Sequence, residues 1–410
     1  MTLGPVSAVI RVTENRRDVL RLKGSGRGFR GSYLSYVLTY FFFYFCMGLF
    51  SSVLSLYLTG LGKSASEMSL IVSASSLFGM VLIPFTGFLC DKTRKPRAVA
   101  MVLLILVAVF GLLFAISRAT GLLFLLNGLI MGCISSLSPM CERKAGAGKY
   151  RYGAVRIWGT FGYAAAAQLA GLILDCFPPI ALFLVLTAAS LLTCLGFWGM
   201  EDVAFEGAAE KPGLNFQFSF LKNPSFLLFV FISFLFMGAS TVNMTYTPML
   251  LAEIGVPVSL VGTVLLISTL VEIPLILFSN RFMDRFPGKP LLIVNFAVML
   301  AQFLAYGLSA SPAVIIAAMV LLKAISSTLF IMITLKLVRN LVHRDFAATA
   351  LGVVNAMNAF STILMQNMAG LLVDTSGISA LYLVLAGLIG LGLLCSLFLR
   401  VGNRERVFGA

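Results

Sequence analysis

The sequence predicts an all-α membrane protein in which twelve transmembrane helices form two six-helix bundles, and three observations support this fold class. Of the 410 residues, 59% are hydrophobic and 11% are charged, whereas soluble domains contain about 25% charged residues. The apolar stretches reach about 20 residues, the length of a helix that crosses a bilayer. The two halves of the chain also repeat short sequence patterns at equivalent places.

The apolar stretches are long and continuous, which favours helices over a membrane barrel. Lipid offers no hydrogen-bond partners, so a crossing segment satisfies its backbone within a helix or within a closed barrel. Barrel strands would alternate apolar and polar residues over ~10 positions, and these stretches do not alternate. The predicted crossings cover about residues 32–60, 66–89, 98–117, 120–140, 154–174, 180–199, 224–251, 257–279, 290–309, 313–337, 347–372 and 378–399.

The basic residues are distributed unevenly between the two sides of this topology. Of the 30 Lys and Arg residues, all but three fall on the side that holds both termini. Lys63 and Arg118 lie on the other side, and Lys323 lies inside a predicted helix. Such an excess marks the cytoplasmic side of a membrane protein. We therefore expect a multi-pass protein of the plasma (cytoplasmic) membrane with both termini in the cytoplasm. The net charge of +14 is explained by this topology, so we expect no nucleic-acid partner.

Two pairs of matching segments indicate that a six-helix unit is duplicated. Asp91-Lys92 follows the second predicted helix and Asp284-Arg285 follows the eighth. Ala170-Gly-Leu-Ile-Leu-Asp175 ends the fifth, and Ala369-Gly-Leu-Leu-Val-Asp374 ends the eleventh. We therefore predict a basic cytoplasmic segment (1–31), a first bundle (32–199), a central cytoplasmic loop (200–223), a second bundle (224–399) and a cytoplasmic tail (400–410).

Two related bundles with a site at their interface are typical of secondary transporters. A membrane enzyme would need clustered His, Asp, Ser or Cys side chains at one membrane face, but the only histidine, His343, falls in a predicted cytoplasmic loop. The seven cysteines show no metal-binding spacing. We therefore expect no enzyme activity, metal or cofactor. A sensor or scaffold that does not transport is a further alternative, and such proteins usually carry an added soluble domain.

Two charged residues lie well inside predicted helices, Glu272 in the eighth and Lys323 in the tenth. A charge at a helix centre costs about 2.5–3.5 kcal/mol on insertion scales, and pairing would remove most of this cost. We expect the two side chains to pair and to couple transport to protons, with Glu272 as the proton carrier. The alternative is a static structural pair.

The eleventh predicted helix carries two asparagines, Asn355 and Asn358, three positions apart and therefore on one face. Polar side chains on an inner face can bind a substrate, and they can equally bridge neighbouring helices. Both interpretations stay open at this point.

The segment from Gly87 to Arg97, Gly-Phe-Leu-Cys-Asp-Lys-Thr-Arg-Lys-Pro-Arg, resembles the signature G-x-L-x-D-R/K-x-G-R/K-R/K of the major facilitator superfamily. Arg94 stands where the family has its second glycine. The resemblance implies that the Asp carboxylate faces a helix N-terminus and holds the outward-open state; the alternative is a topology determinant only. The gating residues implied in the two halves are Gly87, Asp91, Lys92, Arg94, Asp284 and Arg285.

A second resemblance lies in the fourth and fifth predicted helices. Pro139-Met-Cys-Glu142, followed by Tyr152-Gly-Ala-Val-Arg-Ile-Trp-Gly-Thr-Phe-Gly-Tyr163, is similar to the lactose-permease group, which includes phenylpropionate-type and nucleoside permeases. The resemblance implies that Glu142, Arg156 and Tyr163 contact the substrate. A guanidinium donates paired hydrogen bonds to sugar hydroxyls or to a carboxylate. The alternative is that Arg156 only extends to the lipid headgroups.

The tenth predicted helix departs from the lactose-permease pattern. Aligned on Lys323, Ser326 and Leu329 stand where that group has its coupling histidine and glutamate. The resemblance therefore implies proton coupling by a different route. We expect a monomeric secondary transporter that moves a small polar solute (a sugar, nucleoside or aromatic acid) by alternating access, and the alternative is a multidrug or metabolite exporter of the same fold.

Overall fold

The computed structural model of the protein describes residues 29–146, 148–200, 222–283, 285–309, 311–342 and 346–401. Within these ranges it describes every side chain except those of residues 275–283, 324, 328, 347 and 348. Asp284 and His343 lie outside the described residues, as do most of the predicted basic segment (1–31), central loop (200–223) and tail (400–410).

All regular secondary structure in the described ranges is helical. Proline begins α4, α8 and α11, where its fixed φ angle suits a first helical turn and its missing N–H costs no hydrogen bond. The helices are α1 (Tyr33–Ser52), α2 (Leu54–Gly60), α3 (Ala65–Thr93), α4 (Pro96–Ile116), α5 (Thr120–Gly146), α6 (Tyr152–Cys176), α7 (Ile180–Gly199), α8 (Pro224–Glu253), α9 (Val258–Met283), α10 (Gly288–Leu308), α11 (Pro312–Leu341) and α12 (Ala347–Phe398).

The helices match the predicted crossings and confirm the fold class. The first crossing is interrupted at Val53 and consists of α1 and α2. The last two crossings form α12, which is broken at Gly377 (φ 81°, ψ 172°). Among the described residues, ten helices are long and apolar enough to span a membrane, and α9 contributes a shorter apolar stretch over Val258–Pro274.

The helices pack as two bundles, α1–α7 and α8–α12, with two main interfaces between them. Inside the first bundle α1 packs against α6 and α7, and α3 packs against α5. Inside the second bundle α12 packs against α8 and α10. The bundles meet where α6 crosses α9 and where α3 crosses α12, so these four helices hold the side chains that can change neighbours when the bundles move.

Among the described residues, the close glycine crossings between the bundles lie at one end. We call the side where α1 begins and α12 ends the terminus side, and the side where α3 begins the far side. At the far side a Cβ atom on Gly370 would lie 2.7 Å from the Ala65 carbonyl oxygen, and one on Gly171 would lie 2.7 Å from the Val258 carbonyl oxygen. Toward the terminus side, Cβ atoms on Gly87 and Gly352 would meet nothing within 4 Å.

Candidate functional site

Glu142 and Arg156 meet at the terminus side of the first bundle. Glu142 lies in the last turns of α5 and Arg156 in the first turns of α6, so the loop between these helices brings them together. Arg156 Nε lies 3.5 Å from Glu142 Oε1, and the two side chains are 38% and 32% exposed. Both side chains are therefore partly accessible, while most of their surface is enclosed by protein.

Three tyrosine hydroxyls surround the Glu142 carboxylate. Tyr44 donates to Oε1 at 2.9 Å and Tyr40 donates to Oε2 at 3.3 Å. Tyr152, from the first turn of α6, also donates to Oε2. A carboxylate has about four acceptor positions; the three hydroxyls occupy three of them, and Arg156 Nε forms an ion pair with Oε1 at 3.5 Å. Glu142 is thus held firmly and has little acceptor capacity left for a ligand.

Tyr44 holds both charged residues at once. Its hydroxyl binds Glu142, and the Arg156 guanidinium carbon lies 4.5 Å from the centre of its ring, within the range of a cation–π interaction. Gly159 leaves room for this arrangement, because a Cβ atom there would lie 2.5 Å from Tyr44 Cδ2 and 3.1 Å from Arg156 Nη1. The absence of a side chain at Gly159 therefore makes room for Tyr44 and Arg156.

The guanidinium group is the part of this cluster that can still bind a ligand. Arg156 has five N–H donors; its Nε faces Glu142, and the group also interacts with the Tyr152 hydroxyl. The remaining terminal N–H groups lie on a side chain that is 38% exposed. Chemically, the cluster offers hydrogen-bond donors from Arg156 and acceptor oxygens from the tyrosines, with a formal charge of zero for the Glu142–Arg156 pair.

Tyr163 does not join this cluster. It lies seven positions further along α6, which is about 10 Å at roughly 1.5 Å per residue. Its hydroxyl lies beside those of Ser51 and Ser52, where the first crossing is interrupted, and within electrostatic range of Glu272. Tyr163 therefore lies deeper, between the two bundles.

Among the described side chains, Glu272 on α9 and Lys323 on α11 lie within electrostatic range of each other but form no ion-pair contact within 4 Å. The two groups interact electrostatically, and Ser327 lies beside the Glu272 carboxyl group. The Ser327 hydroxyl donates to the Lys323 carbonyl oxygen at 3.0 Å. The charges of Glu272 and Lys323 sum to zero, as those of Glu142 and Arg156 do, and Glu272 also lies within electrostatic range of Tyr163 in the first bundle.

The two asparagines of α12 differ in their surroundings. Asn358 Oδ1 accepts a hydrogen bond from Ser233 at 2.9 Å, so this side chain bridges α12 and α8. Asn355 is exposed. Asn355 is therefore the freer of the two to meet a ligand, while Asn358 also serves as a helix–helix contact.

The residues of the α3 signature lie at the terminus side. Gly87, Asp91, Lys92 and Arg94 are all exposed, and among the described residues the Asp91 carboxylate has no hydrogen-bond or ion-pair partner. Gly87 and Asp91 line a cavity of about 270 Å³ that also reaches α4, α5 and α7. In the second half Arg285 is exposed. The contact implied for Asp91 is not present among the described residues, and its gating role stays a prediction.

Arg94 ends α3 in the left-handed region, with φ 52° and ψ 24°, and its N–H donates to the Cys90 carbonyl oxygen. Glycine adopts this conformation without strain. The backbone thus explains why the family signature has a glycine at this position, and this chain accepts an arginine in the same conformation.

The tyrosines around Glu142 were not assigned to the site from the sequence. Tyr40 and Tyr44 lie four positions apart, a spacing that places both on one face of α1. This spacing was the available signal, but the aromatic residues of the first helix are so numerous that it did not stand out. Tyr152 is the first residue of α6, where an exposed aromatic residue is ordinary for a membrane interface.

Comparison with known proteins agrees with this architecture. A family model described as the MFS_1 like family matches residues 33–384. The maltose permease of Geobacillus stearothermophilus is 27% identical over 383 residues, which cover 91% of this chain and 95% of the permease. The sucrose permease of Escherichia coli is 24% identical over 401 residues, which cover 92% of this chain and 96% of that protein.

Among solved structures, the nucleoside transporter NupG has the same fold. Its crystal structure matches with a TM-score of 0.76 at 16% identity, covering 89% of this chain and 97% of NupG. The resemblance to the lactose-permease group is consistent with these relatives. The chain belongs to the MFS_1 like family and is a secondary transporter of the major facilitator superfamily.

Proposed function

We propose that the protein transports a neutral polyhydroxylated solute, a sugar or a nucleoside, and that Arg156 binds it. The observation that carries this proposal is the carboxylate of Glu142, whose tyrosine and arginine partners leave the terminal N–H groups of Arg156 as the free donors of the cluster. Sugar hydroxyls are good acceptors for such donors. Glu142 then acts by orienting Arg156.

The charge balance favours a neutral substrate over an aromatic acid. Glu142 offsets Arg156, and Glu272 offsets Lys323, so neither pair supplies an excess positive charge for a carboxylate. Lys144, the residue after Arg143 on α5, is buried and places its ammonium 5.6 Å from the centre of the Phe197 ring. The maltose, sucrose and nucleoside transporters among the similar proteins support the same substrate class.

We assign the terminus side to the cytoplasm because it holds nearly all the basic residues. With this orientation the conformation is inward-facing, since the bundles touch at the far side. Asp91 and Gly87, which are both exposed, then meet the second bundle when the transporter faces outward, with Lys92, Arg94 and Arg285 flanking the same contact. Asp284, outside the described residues, is the corresponding carboxylate in the sequence of the second half. Residues 32–199 and 224–399 act as the two moving bodies.

The deeper polar groups form the second part of the proposal. Tyr163, Asn355 and Asn358 line the route between the bundles beyond the Arg156 cluster, and Glu272 and Lys323 couple transport to protons. The electrostatic interaction between Glu272 and Tyr163 supports the coupling role, because a change of charge on Glu272 alters the potential at a residue of the first bundle. One chain contains all these groups, so we expect a monomer to be the transporting unit.

The direct test is ligand-induced thermal stabilisation of the purified full-length protein. Maltose, sucrose, uridine and phenylpropionate serve as probes. We expect a neutral probe to raise the unfolding temperature, and Arg156→Lys to abolish the shift, because lysine loses the planar set of donors. Arg151→Lys is the matched control, since Arg151 is exposed just before α6. A shift from phenylpropionate alone, or one that survives in Arg156→Lys, would contradict the proposal.

A further inference from the structure

Asp374 bridges the two bundles at the far side. It lies on α12, shortly before the break at Gly377, and its side chain reaches the beginning of α3 in the first bundle. Oδ1 accepts a hydrogen bond from the Ala65 N–H at 2.8 Å, and Oδ2 accepts one from the Ser66 N–H at 2.9 Å. Both oxygens of one carboxylate are thus bound to the backbone of a helix in the other bundle.

These two bonds complete the N-terminus of α3. The first four N–H groups of a helix have no partner within the helix. Counted from the N-cap residue Ser64, the Ser64 N–H donates to Glu67 Oε2 and the Glu67 N–H donates to Ser64 Oγ, both at 3.2 Å. The remaining two are those of Ala65 and Ser66, which donate to Asp374. The carboxylate also lies at the positive end of the helix dipole.

Close packing around Asp374 makes this contact part of the closed far side. Gly370 lies one turn earlier on α12, and its missing side chain lets the backbone approach Ala65. From α8, the Tyr246 hydroxyl lies 2.6 Å from Ser69 Oγ and 3.3 Å from the Ala65 carbonyl oxygen. Tyr246 and Ser69 are both fully buried. Separation of the bundles at the far side therefore breaks all these contacts together.

The duplicated counterpart of Asp374 makes no such contact. The segment Ala170–Asp175 repeats Ala369–Asp374, and Gly171 touches the start of α9 as Gly370 touches the start of α3. Asp175, however, is exposed, and among the described residues it has no hydrogen-bond or ion-pair partner. Both copies of the motif therefore have the glycine that allows a close helix crossing, Gly171 and Gly370. Of the two aspartates, only Asp374 caps a helix N-terminus.

We propose that Asp374 is a latch for the far side, a positioning residue that acts on transport through the N-terminus of α3. When the bundles part at this side, the Ala65 and Ser66 N–H groups must exchange a fixed carboxylate for water. The latch therefore stabilises the inward-facing conformation relative to the outward-facing one. The inference rests on transport by this fold, and it does not depend on the identity of the substrate.

Cysteine labelling of the reconstituted full-length protein tests the latch without any substrate. In a Cys176→Ser background, Ser73→Cys places a reporter on α3 behind the closed far side, where Ser73 is 3% exposed. Gly352→Cys places a second reporter at the terminus side, where Gly352 is exposed. An impermeant maleimide is added to each side in separate samples. We expect Asp374→Asn and Asp374→Ala to speed labelling of Ser73→Cys by about fivefold or more, a typical coupling between sites, and to slow labelling of Gly352→Cys.

Asp175→Asn is the matched control, because it removes the same charge from the other copy of the motif and is expected to leave both labelling rates unchanged. General unfolding would speed labelling at both reporters, so opposite changes at the two sites distinguish a shifted equilibrium from a damaged protein. Unchanged rates in both Asp374 variants, an increase at both sites, or an equal effect of Asp175→Asn would overturn the proposal. Failure of the sugar or nucleoside assignment would leave these rates untouched.

Discussion

The Tyr44 hydroxyl donates a hydrogen bond to Glu142 at 2.9 Å, while the Tyr44 ring lies under the guanidinium of Arg156. One side chain from the first crossing thereby sets the distance and angle between two charged residues from the fourth and fifth crossings. In a cavity open to water, such a pair would otherwise be mobile, because exposed ion pairs contribute little and hold their geometry poorly. Tyr44 therefore pre-organises the donor surface of Arg156.

Tyr44→Phe tests the hydroxyl separately from the ring. The variant keeps the cation–π contact and loses one bond to the carboxylate, and a hydrogen bond to a charged group contributes about 1.5–3 kcal/mol when buried. Because the cluster is partly exposed, we expect KM for uptake to rise about three- to tenfold, near the factor of ten that about 1.4 kcal/mol represents. Tyr44→Leu, which also loses the ring, should weaken uptake further.

Tyr150→Phe is the control for this experiment, since the Tyr150 hydroxyl donates to the Gly31 carbonyl oxygen and does not touch Glu142. Uptake in proteoliposomes at varied substrate concentration separates KM from the maximal rate. An unchanged KM in Tyr44→Phe would show that the hydroxyl does not position the site.

Gly159→Ala tests the space beneath the cluster. The added methyl group would lie 2.5 Å from Tyr44 Cδ2, so either the tyrosine ring or α6 must shift. We expect uptake to fall by tenfold or more, about the effect of a misplaced binding group, with the protein still folded. Gly153→Ala is the matched control on the same helix, because its methyl group would meet nothing within 4 Å. Equal uptake in the two variants would contradict the steric argument.

Gly171→Ala tests the other crossing at the far side. A Cβ atom there would lie 2.7 Å from the Val258 carbonyl oxygen and 3.1 Å from Gly262 Cα. Backbone atoms yield less readily than side chains, so α6 and α9 must separate. We expect faster labelling of the far-side reporter Ser73→Cys and a lower uptake rate. Gly121→Ala, at the start of α5 on the same side, has free space around it and should change neither quantity.

Glu272→Gln tests proton coupling. Glutamine keeps the size of the side chain and cannot exchange a proton, so uptake driven by an imposed pH gradient should be lost while substrate counterflow persists. Lys323→Gln should impair both, because it leaves Glu272 without its electrostatic partner. If Glu272→Gln keeps gradient-driven uptake at the parental level, Glu272 does not couple transport to protons, and its role is structural.

The amino-acid sequence determined the helices of this protein and the type of fold. A segment in lipid must satisfy its backbone hydrogen bonds internally, so an apolar stretch of sufficient length has one solution, and the predicted crossings match the helices. The resemblance in the fourth and fifth crossings likewise selected Glu142 and Arg156, which flank one short loop. These features depend on neighbours in the chain, and local sequence is enough to predict them.

Only the tertiary structure decided which partners these residues have. Tyr44 and Glu142 are 98 positions apart, and Asp374 and Ala65 are 309 positions apart, so no local pattern links them. The two copies of the motif ending in Asp175 and Asp374 look alike in the sequence, yet only one carboxylate reaches a helix N-terminus. Which copy does so depends on how the two bundles approach each other, because hydrogen bonds of this kind require placement to within a few tenths of an ångström.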